Sequence, residues 1–95
     1  MTRNVPPGLD GIPNLGPATA RDLGRLGIHD RRALAKADPQ RLYDRLARLD
    51  GRPHDPCVLD TLHAVVDYAR GGPPRPWWFY SRKRLAEAAK KRRAR

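Results

Sequence analysis

The sequence is poor in cysteine, in aromatic residues and in long apolar runs. Its single cysteine, Cys57, excludes an internal disulfide and is typical of a reducing compartment. No stretch approaches the ~20 consecutive apolar residues that a membrane-spanning helix needs, and the first residues have no apolar segment of the kind found in export signals. We therefore expect a cytoplasmic protein with no membrane partner, and a location in the nucleoid is compatible with that expectation.

The chain also has no pattern of residues that predicts catalysis. It has no nucleophile motif beside a base, no glycine-rich loop that would hold a nucleotide phosphate, and no cluster of carboxylates for Mg²⁺. A chain of 95 residues is moreover too short to enclose a large active site. The sequence therefore predicts a protein that is not an enzyme and that binds neither a cofactor nor a small-molecule substrate.

Three residues that can bind metal, His54, Cys57 and His63, occur close together in the sequence. Their spacing fits no usual zinc motif and a fourth ligand is missing, so the sequence predicts no metal site. Cys57 itself has two interpretations. It lies in the first turn of a predicted helix, where a thiolate is favoured, but an isolated cysteine is more often a small buried apolar residue.

The positive charge is concentrated at the C-terminal end. Residues 71–95 contain nine Lys and Arg and one acidic residue, Glu87, whereas residues 1–70 contain 11 Lys and Arg and nine acidic residues. A nearly neutral body is thus followed by a cationic tail, which favours polyanions as partners. We divide the chain accordingly into a helical domain, residues 1–72, and a linker with a basic helical tail, residues 73–95.

Helix start and stop signals predict an all-α fold of four or five short helices. The pairs Asp38-Pro39 and Asp55-Pro56 each place a capping carboxylate before a first-turn proline, and Asp30 is a third cap. Glycines end several of the segments, and no segment shows strand-like alternation. The predicted elements are a helical turn near residue 9 and helices over residues 17–26, 31–36, 39–50, 56–70 and 82–95.

The segment before the last predicted helix is rich in proline and aromatic residues. Three prolines within residues 73–76 predict an extended link that leads into Trp77-Trp78-Phe79-Tyr80. Adjacent side chains of an extended segment point in opposite directions, so we expect at least one of Trp77 and Trp78 to pack on the core. The alternative is that they stack on bases, or bind a partner, beside the cationic tail.

Residues 11–20, followed by Leu23, resemble a helix-hairpin-helix. In that family a short Pro-Gly-hydrophobic-Gly turn joins two helices, and its backbone N–H groups hold a DNA phosphate together with the N-terminus of the second helix. Leu15 and Gly16 match the last two positions of the turn, and Asn14 replaces its first glycine because asparagine tolerates a left-handed backbone. The resemblance implies nucleic-acid contacts at Asn14, Leu15, Gly16, Ala18, Thr19 and Arg21. The other interpretation is that the turn only packs two helices together.

Motifs along most of the chain resemble a small bacterial family known as pathogenicity-locus or mitomycin-resistance proteins. They occur over about residues 9–84 and comprise Ile12-Pro13-Asn14-Leu15-Gly16, Asp22-Leu23, Leu26-Gly27-Ile28, Asp38-Pro39, Leu42-Tyr43, His54-Asp55-Pro56-Cys57-Val58-Leu59-Asp60 and Pro76-Trp77-Trp78. The resemblance implies a helix-hairpin-helix fold in a setting of DNA repair or protection, and it leaves the biochemical activity open.

Together these observations predict sequence-independent nucleic-acid binding, with DNA as the partner. The basic tail provides the second group of expected contacts because its cations neutralise phosphates, and this group consists of Arg82, Lys83, Arg84, Lys90 and Lys91. The alternative function is a protein-interaction module of the same helical fold, whose hairpin contacts a protein partner instead of DNA.

Overall fold

The computed structural model describes residues 5–93, and every regular element within that range is helical. A three-residue 3₁₀ turn precedes five α-helices, and the elements are Pro7–Leu9 for the turn, α1 (Pro17–Arg25), α2 (Arg31–Ala35), α3 (Pro39–Asp50), α4 (Pro56–Ala69) and α5 (Trp77–Arg93). The all-α prediction is therefore confirmed. The bounds of the first four helices agree with the predicted bounds to within one residue.

Aspartates start three of the helices by accepting hydrogen bonds from backbone N–H groups that have no intrahelical partner. At the start of α2, Asp30 accepts from the N–H group of Ala33 at 2.8 Å. Asp38 and Asp55 accept from the second residues of α3 and α4, at 2.9 and 2.8 Å. Gly51 ends α3 with a φ of 66°, a left-handed conformation that glycine adopts without steric cost. The predicted caps are confirmed.

The core forms around α4, the most apolar helix, which packs against α2, α3 and α5. Its Leu62, Val65 and Val66 are almost completely buried. The other elements add leucines to the same cluster, among them Leu9, Leu23, Leu34, Leu42 and Leu46. Burial of these side chains is the main favourable term in the folding of so short a chain.

Arginines of the body hold helix ends together. Arg31, the first residue of α2, donates to two backbone carbonyls at the end of α4, at 3.3 and 3.5 Å. Arg70, which follows α4, donates to two carbonyls at the end of α2, at 2.9 and 2.8 Å. Arg45 of α3 donates in the same way to the carbonyl of Leu26, after α1, at 3.3 Å. Carbonyls at helix C-termini lack intrahelical partners and carry partial negative charge, so a cation satisfies both needs.

The start of α5 differs from the prediction. The helix begins at Trp77 and not at residue 82, so the aromatic run is helical and the extended link ends before it. The reason is tertiary. Asn14 accepts a hydrogen bond from the N–H group of Trp77, and Tyr80 and Arg84, which lie on one face of a helix, both contact α4. These contacts outweigh the weak helix propensity of the aromatic residues.

The first turns of α5 therefore pack on the helical body. The division of the chain at residue 72 stays a prediction. Between residues 5 and 93 there is no helix that combines the length and the hydropathy needed to cross a bilayer.

Candidate nucleic-acid interface

The hairpin is a tight turn ahead of α1. The N–H group of Leu15 donates to the carbonyl of Ile12 at 3.2 Å, and Asn14 has a φ of 69°. Proline at the second position and a left-handed residue at the third are typical of a type II turn, which takes glycine or asparagine at the third. The predicted left-handed conformation of Asn14 is confirmed. Because Ile12 and Leu15 are buried in the core, the turn is held in one position.

The N-terminus of α1 has free backbone donors. No side chain caps it, unlike the N-termini of α2, α3 and α4. The first helical bond runs from the N–H group of Ala20 to the carbonyl of Gly16 at 2.9 Å. The N–H groups of Ala18 and Thr19 have no acceptor within residues 5–93. A helix N-terminus with such donors attracts anions.

Gly16 leaves the approach to these donors open. A Cβ atom on Gly16 would meet no heavy atom within 4 Å beyond its two chain neighbours. Its φ of −93° and ψ of −177° are extended backbone that any residue adopts. A larger side chain at this position is therefore compatible with the fold, and it would cover the approach to α1.

Asn14 joins the hairpin to the start of α5. Its Nδ2 donates to the carbonyl of Arg75 at 2.7 Å, and its Oδ1 accepts from the N–H group of Trp77 at 3.2 Å. The side chain thus caps α5, a role that the sequence did not predict. The hairpin and the first turn of α5 consequently form one surface.

The other predicted residues of α1 have different surroundings. Arg21 is exposed and makes no ion pair or hydrogen bond with the described part of the chain. Ala18 and Thr19 line a pocket of about 200 Å³ together with α3 and α4 residues such as Leu46, Val58 and Leu62. Ala18 and Thr19 therefore contribute to this pocket as well as to the N-terminus of α1.

Tyr80 is the aromatic residue that attaches α5 to α4. Its ring is buried and stacks on His63 with 6.1 Å between the ring centroids, and its hydroxyl donates to Asp67 at 2.6 Å. Burial and the hydrogen bond to Asp67 raise the pKa of Tyr80 to about 12. Both effects disfavour the phenolate, since it would lose solvation and would lie beside a second negative charge.

A buried carboxylate holds the second turn of α5. Asp60 of α4 is 1% exposed. Arg84 donates to its two oxygens at 3.0 and 3.1 Å, and the hydroxyl of Ser81 donates to it at 2.5 Å. The hydrogen bonds to Asp60 raise the pKa of Arg84. Arg84 was among the predicted phosphate contacts, but its charge is already compensated inside the protein.

Trp77 and Trp78 lie outside the core cluster, contrary to the expectation that at least one of them packs there. They are 39% and 50% exposed, and Phe79 is 37% exposed. Successive residues of a helix point about 100° apart, so only Tyr80 of this run faces α4. The guanidinium of Arg75 lies over the ring of Phe79, 4.5 Å from its centroid.

The remaining predicted cations of the tail are exposed along α5. These cations are Arg82, Lys83, Lys90 and Lys91. None of them makes an ion pair or hydrogen bond with residues 5–93. A helix of 17 residues is about 25 Å long, so these charges are spread along a stiff rod. Together with the donors of α1, they are groups that can bind a polyanion.

A second group of cations lies on α3 and was not predicted. The group consists of three exposed arginines, Arg41, Arg45 and Arg48. They are spaced four and three residues apart, which places them on one face of the helix. The spacing is visible in the sequence, but the near-neutral total of residues 1–70 conceals it. Three aspartates offset these charges within residues 38–50, namely Asp38, Asp44 and Asp50. The net charge there is zero, unlike that of α5.

Cys57 fits neither interpretation drawn from the sequence. It is exposed, so it is not a buried apolar residue. The hydrogen bond to Asp55, together with desolvation, raises the pKa of the Cys57 thiol, so the thiolate is not favoured either. In the part of the chain that the structure describes, no group of three or more His, Cys, Asp or Glu side chains is arranged to hold a metal ion.

Comparison with known proteins identifies the family. The sequence profile of the family described as Pathogenicity locus matches residues 3–86. A mitomycin resistance protein, McrB, from Streptomyces lavendulae is 42% identical over 87 residues, which cover 90% of this chain and 83% of the relative. No solved structure matches the chain. The motif order and these two matches agree, and the chain belongs to the pathogenicity-locus family.

Proposed function

We propose that this protein binds DNA independently of sequence, through the hairpin and the exposed cations of α5. The observation that carries the proposal is the pair of hydrogen bonds between Asn14 and the start of α5. They hold together the two elements that carry anion-binding groups. The first group is the pair of free N–H groups at Ala18 and Thr19, and the second is the set of exposed cations of α5.

The hairpin contributes donors that are fixed in position. Ile12 and Leu15 are buried on either side of the turn, so the N–H groups that follow keep one orientation. Donors of this kind bind phosphate oxygens and not base edges, so the contact carries no sequence information. Arg21 adds an exposed cation one turn into α1.

The tail contributes most of the charge. Residues 77–93 contain seven Lys and Arg and one acidic residue, Glu87. Cations that neutralise phosphates release the counterions condensed on DNA, and this gain is the same for every sequence. Because Arg84 is paired with Asp60, the exposed cations before and after it are the ones available for phosphates.

The family supplies the setting of the proposal. The name of the Streptomyces relative, a mitomycin resistance protein, is compatible with protection or repair of DNA. The helix-hairpin-helix character of residues 11–20 belongs to the proposal as well, because a 3₁₀ turn of three residues stands where that motif has its first helix.

The first experiment measures the affinity of the full chain for duplexes of unrelated sequence between about 50 and 200 mM salt. We expect equal affinities for different sequences and a steep decrease with salt. Lys90→Gln combined with Lys91→Gln should lower the slope of log affinity against log salt by about 2. Arg41→Gln combined with Arg48→Gln removes the same charge from α3 and should change the slope less. A marked preference for one sequence, or equal effects of the two pairs, would contradict the proposal.

The second experiment tests the hairpin at unchanged net charge. Gly16→Val places a branched side chain before the N–H groups of α1, and the space around Gly16 allows the fold to persist. We expect weaker DNA binding for Gly16→Val than for Gly16→Ala, with unchanged circular dichroism for both. Equal affinity of the wild-type and Gly16→Val proteins would assign the turn to helix packing and leave α5 as the DNA contact.

A protein-interaction module is the second candidate, and one observation favours it. The pocket between α1, α3 and α4 is lined by apolar residues such as Leu46, Val58 and Leu62, and a partner's apolar side chain fits such a hollow. Binding there would depend little on salt. If the full chain binds no DNA at about 50 mM salt, this candidate becomes the better one.

A further inference from the structure

We infer that Trp77 and Trp78 stack on unpaired bases, so that the protein binds single-stranded nucleotides in preference to an intact duplex. The inference rests on the proposed function and adds the class of nucleic acid to it. Its starting point is the exposure of three consecutive aromatic side chains at the start of α5, in a chain that has six aromatic residues.

The fold does not explain this exposure. Tyr80 attaches the first turn of α5 to Asp67, and Arg84 attaches the second turn to Asp60. Neither tryptophan belongs to the core cluster. Large aromatic side chains in contact with water carry a free-energy cost, and a ligand with a flat apolar face relieves it.

Positive charge surrounds the two tryptophans. Residues 77–86 contain no acidic residue. Arg82 follows Trp78 by four positions and so lies on the same face of α5, and it is exposed. Arg75 lies over the ring of Phe79. Oligonucleotides alternate flat bases with anionic phosphates and therefore match a surface in which aromatic rings alternate with cations.

The hairpin contacts the start of α5, where these rings lie. Asn14 accepts the hydrogen bond from the N–H group of Trp77, and the free N–H groups of Ala18 and Thr19 follow four and five residues later, in the first turn of α1. In the inferred complex, one phosphate of the strand lies at the N-terminus of α1 and neighbouring bases stack on Trp77 and Trp78. The two elements thus recognise different parts of one strand.

Other occupants match this surface less well. Beyond Phe79, Leu85 is the only large apolar side chain exposed on α5 among the described residues, so no apolar stripe continues along the helix for a partner helix or a lipid surface. Bases inside a duplex already stack on their neighbours and offer no free face. Unpaired bases do offer one.

The test compares two strands that have the same number of phosphates. The full chain is titrated with a short oligothymidine and with an abasic strand of equal length. Stacking requires bases, whereas the donors of α1 and the cations of α5 require phosphates alone. We expect about tenfold tighter binding to oligothymidine than to the abasic strand. Because both tryptophans of the chain lie at this surface, their fluorescence should be quenched by oligothymidine and not by the abasic strand.

Two variants complete the test. Trp77→Ala combined with Trp78→Ala should abolish the preference for oligothymidine and leave binding to the abasic strand unchanged. Trp77→Phe combined with Trp78→Phe should retain most of the preference because phenylalanine also stacks. Circular dichroism verifies that both variants fold, and the comparison of strands on the wild-type chain does not depend on any variant.

The outcomes separate this inference from the proposed function. Equal affinity of the wild-type chain for both strands, without quenching, would overturn base stacking and leave binding through phosphates intact. Tighter binding to a duplex than to oligothymidine of the same length would also overturn it. If neither strand nor duplex binds at low salt, the proposed function fails together with the inference.

Discussion

The two halves of α5 have similar basic compositions but make different contacts. In residues 77–84, Tyr80, Ser81 and Arg84 all form hydrogen bonds to carboxylates of α4. In residues 85–93, no described side chain forms a hydrogen bond or ion pair with the body, and Leu85 is 58% exposed. The first half is therefore part of the fold, whereas Lys90 and Lys91 of the second half are exposed to solvent.

This difference originates in α4. Asp60 and Asp67 lie seven residues apart on α4, which is about two helical turns. Both therefore lie on the side of α4 that faces α5. A cation opposite a buried carboxylate becomes structural, while a cation without such a partner remains available to a polyanion. Arg82 and Arg84 illustrate this, because they are two residues apart and only Arg84 has a partner in the described chain.

The largest effect should come from the buried ring of the first half. Tyr80→Ala removes that ring and its hydrogen bond to Asp67, and we expect a loss of about 4 kcal/mol in the free energy of unfolding. Leu85→Ala, in the second half, should change it by less than about 0.5 kcal/mol because Leu85 is mostly exposed. Urea denaturation measures both. Similar losses for the two variants would refute the contrast between the halves.

The next effect separates two arginines of the same helix. Arg84→Met leaves the buried carboxylate of Asp60 without its cation, and we expect a loss of about 3 kcal/mol, the low end for buried pairs, because Arg84 is one-third exposed. Arg82→Met should cost less than about 0.5 kcal/mol. In DNA binding the order should reverse, with Arg82→Met causing the larger decrease in salt slope. Equal destabilisation by the two variants would count against a structural role for Asp60.

A smaller effect is expected where the hairpin meets the first half. Asn14→Gly keeps the left-handed backbone but removes both side-chain hydrogen bonds, at a cost of about 1 kcal/mol. Asn14→Ala loses the same bonds and adds a left-handed strain of roughly 1 kcal/mol. Chemical denaturation of both variants tests this, and a glycine variant less stable than the alanine variant would argue against the turn geometry.

The last effect is confined to alkaline pH. The pKa of Tyr80 is about 12 in the folded protein, above the ordinary value of 10. The unfolded chain therefore releases this proton first, so the stabilisation is complete below pH 10 and is lost as the pH rises toward about 12. Tyr80→Phe should lack this part of the pH dependence in denaturation experiments. It should also lack an absorbance step at 295 nm near pH 12, and persistence of that step would assign it to another tyrosine.

The sequence predicts the elements whose signals are local. Asp30, Asp38 and Asp55 precede their helices directly, and each accepts the expected hydrogen bond two or three residues later. The start of α5 could not be predicted in this way. Its cap, Asn14, lies 63 residues earlier in the chain, and its docking residue depends on a carboxylate of α4.

In the candidate site, too, the features with local sequence signals could be predicted and those that depend on tertiary contacts could not. The left-handed Asn14 could be predicted from the turn motif alone. The exposure of Trp77 and Trp78 and the pairing of Arg84 could not, because both depend on which face of α5 meets α4. The arginines of α3 were visible by their spacing. The summed charge of residues 1–70 hides them, because a sum does not show which charges share one face of a helix.

The use of arginine, and not lysine, between α2 and α4 also affects which parts of the protein acylating reagents can modify. Arg31 and Arg70 each donate to two carbonyls through different nitrogens, a geometry that a lysine ammonium does not reproduce. Residues 1–70 contain one lysine, Lys36, whereas three of the four lysines of the chain lie on α5. Acylating reagents modify lysine amines and leave guanidinium groups unchanged. They would therefore remove positive charge mainly from the exposed helix, while the arginines that connect the helices of the body stay intact.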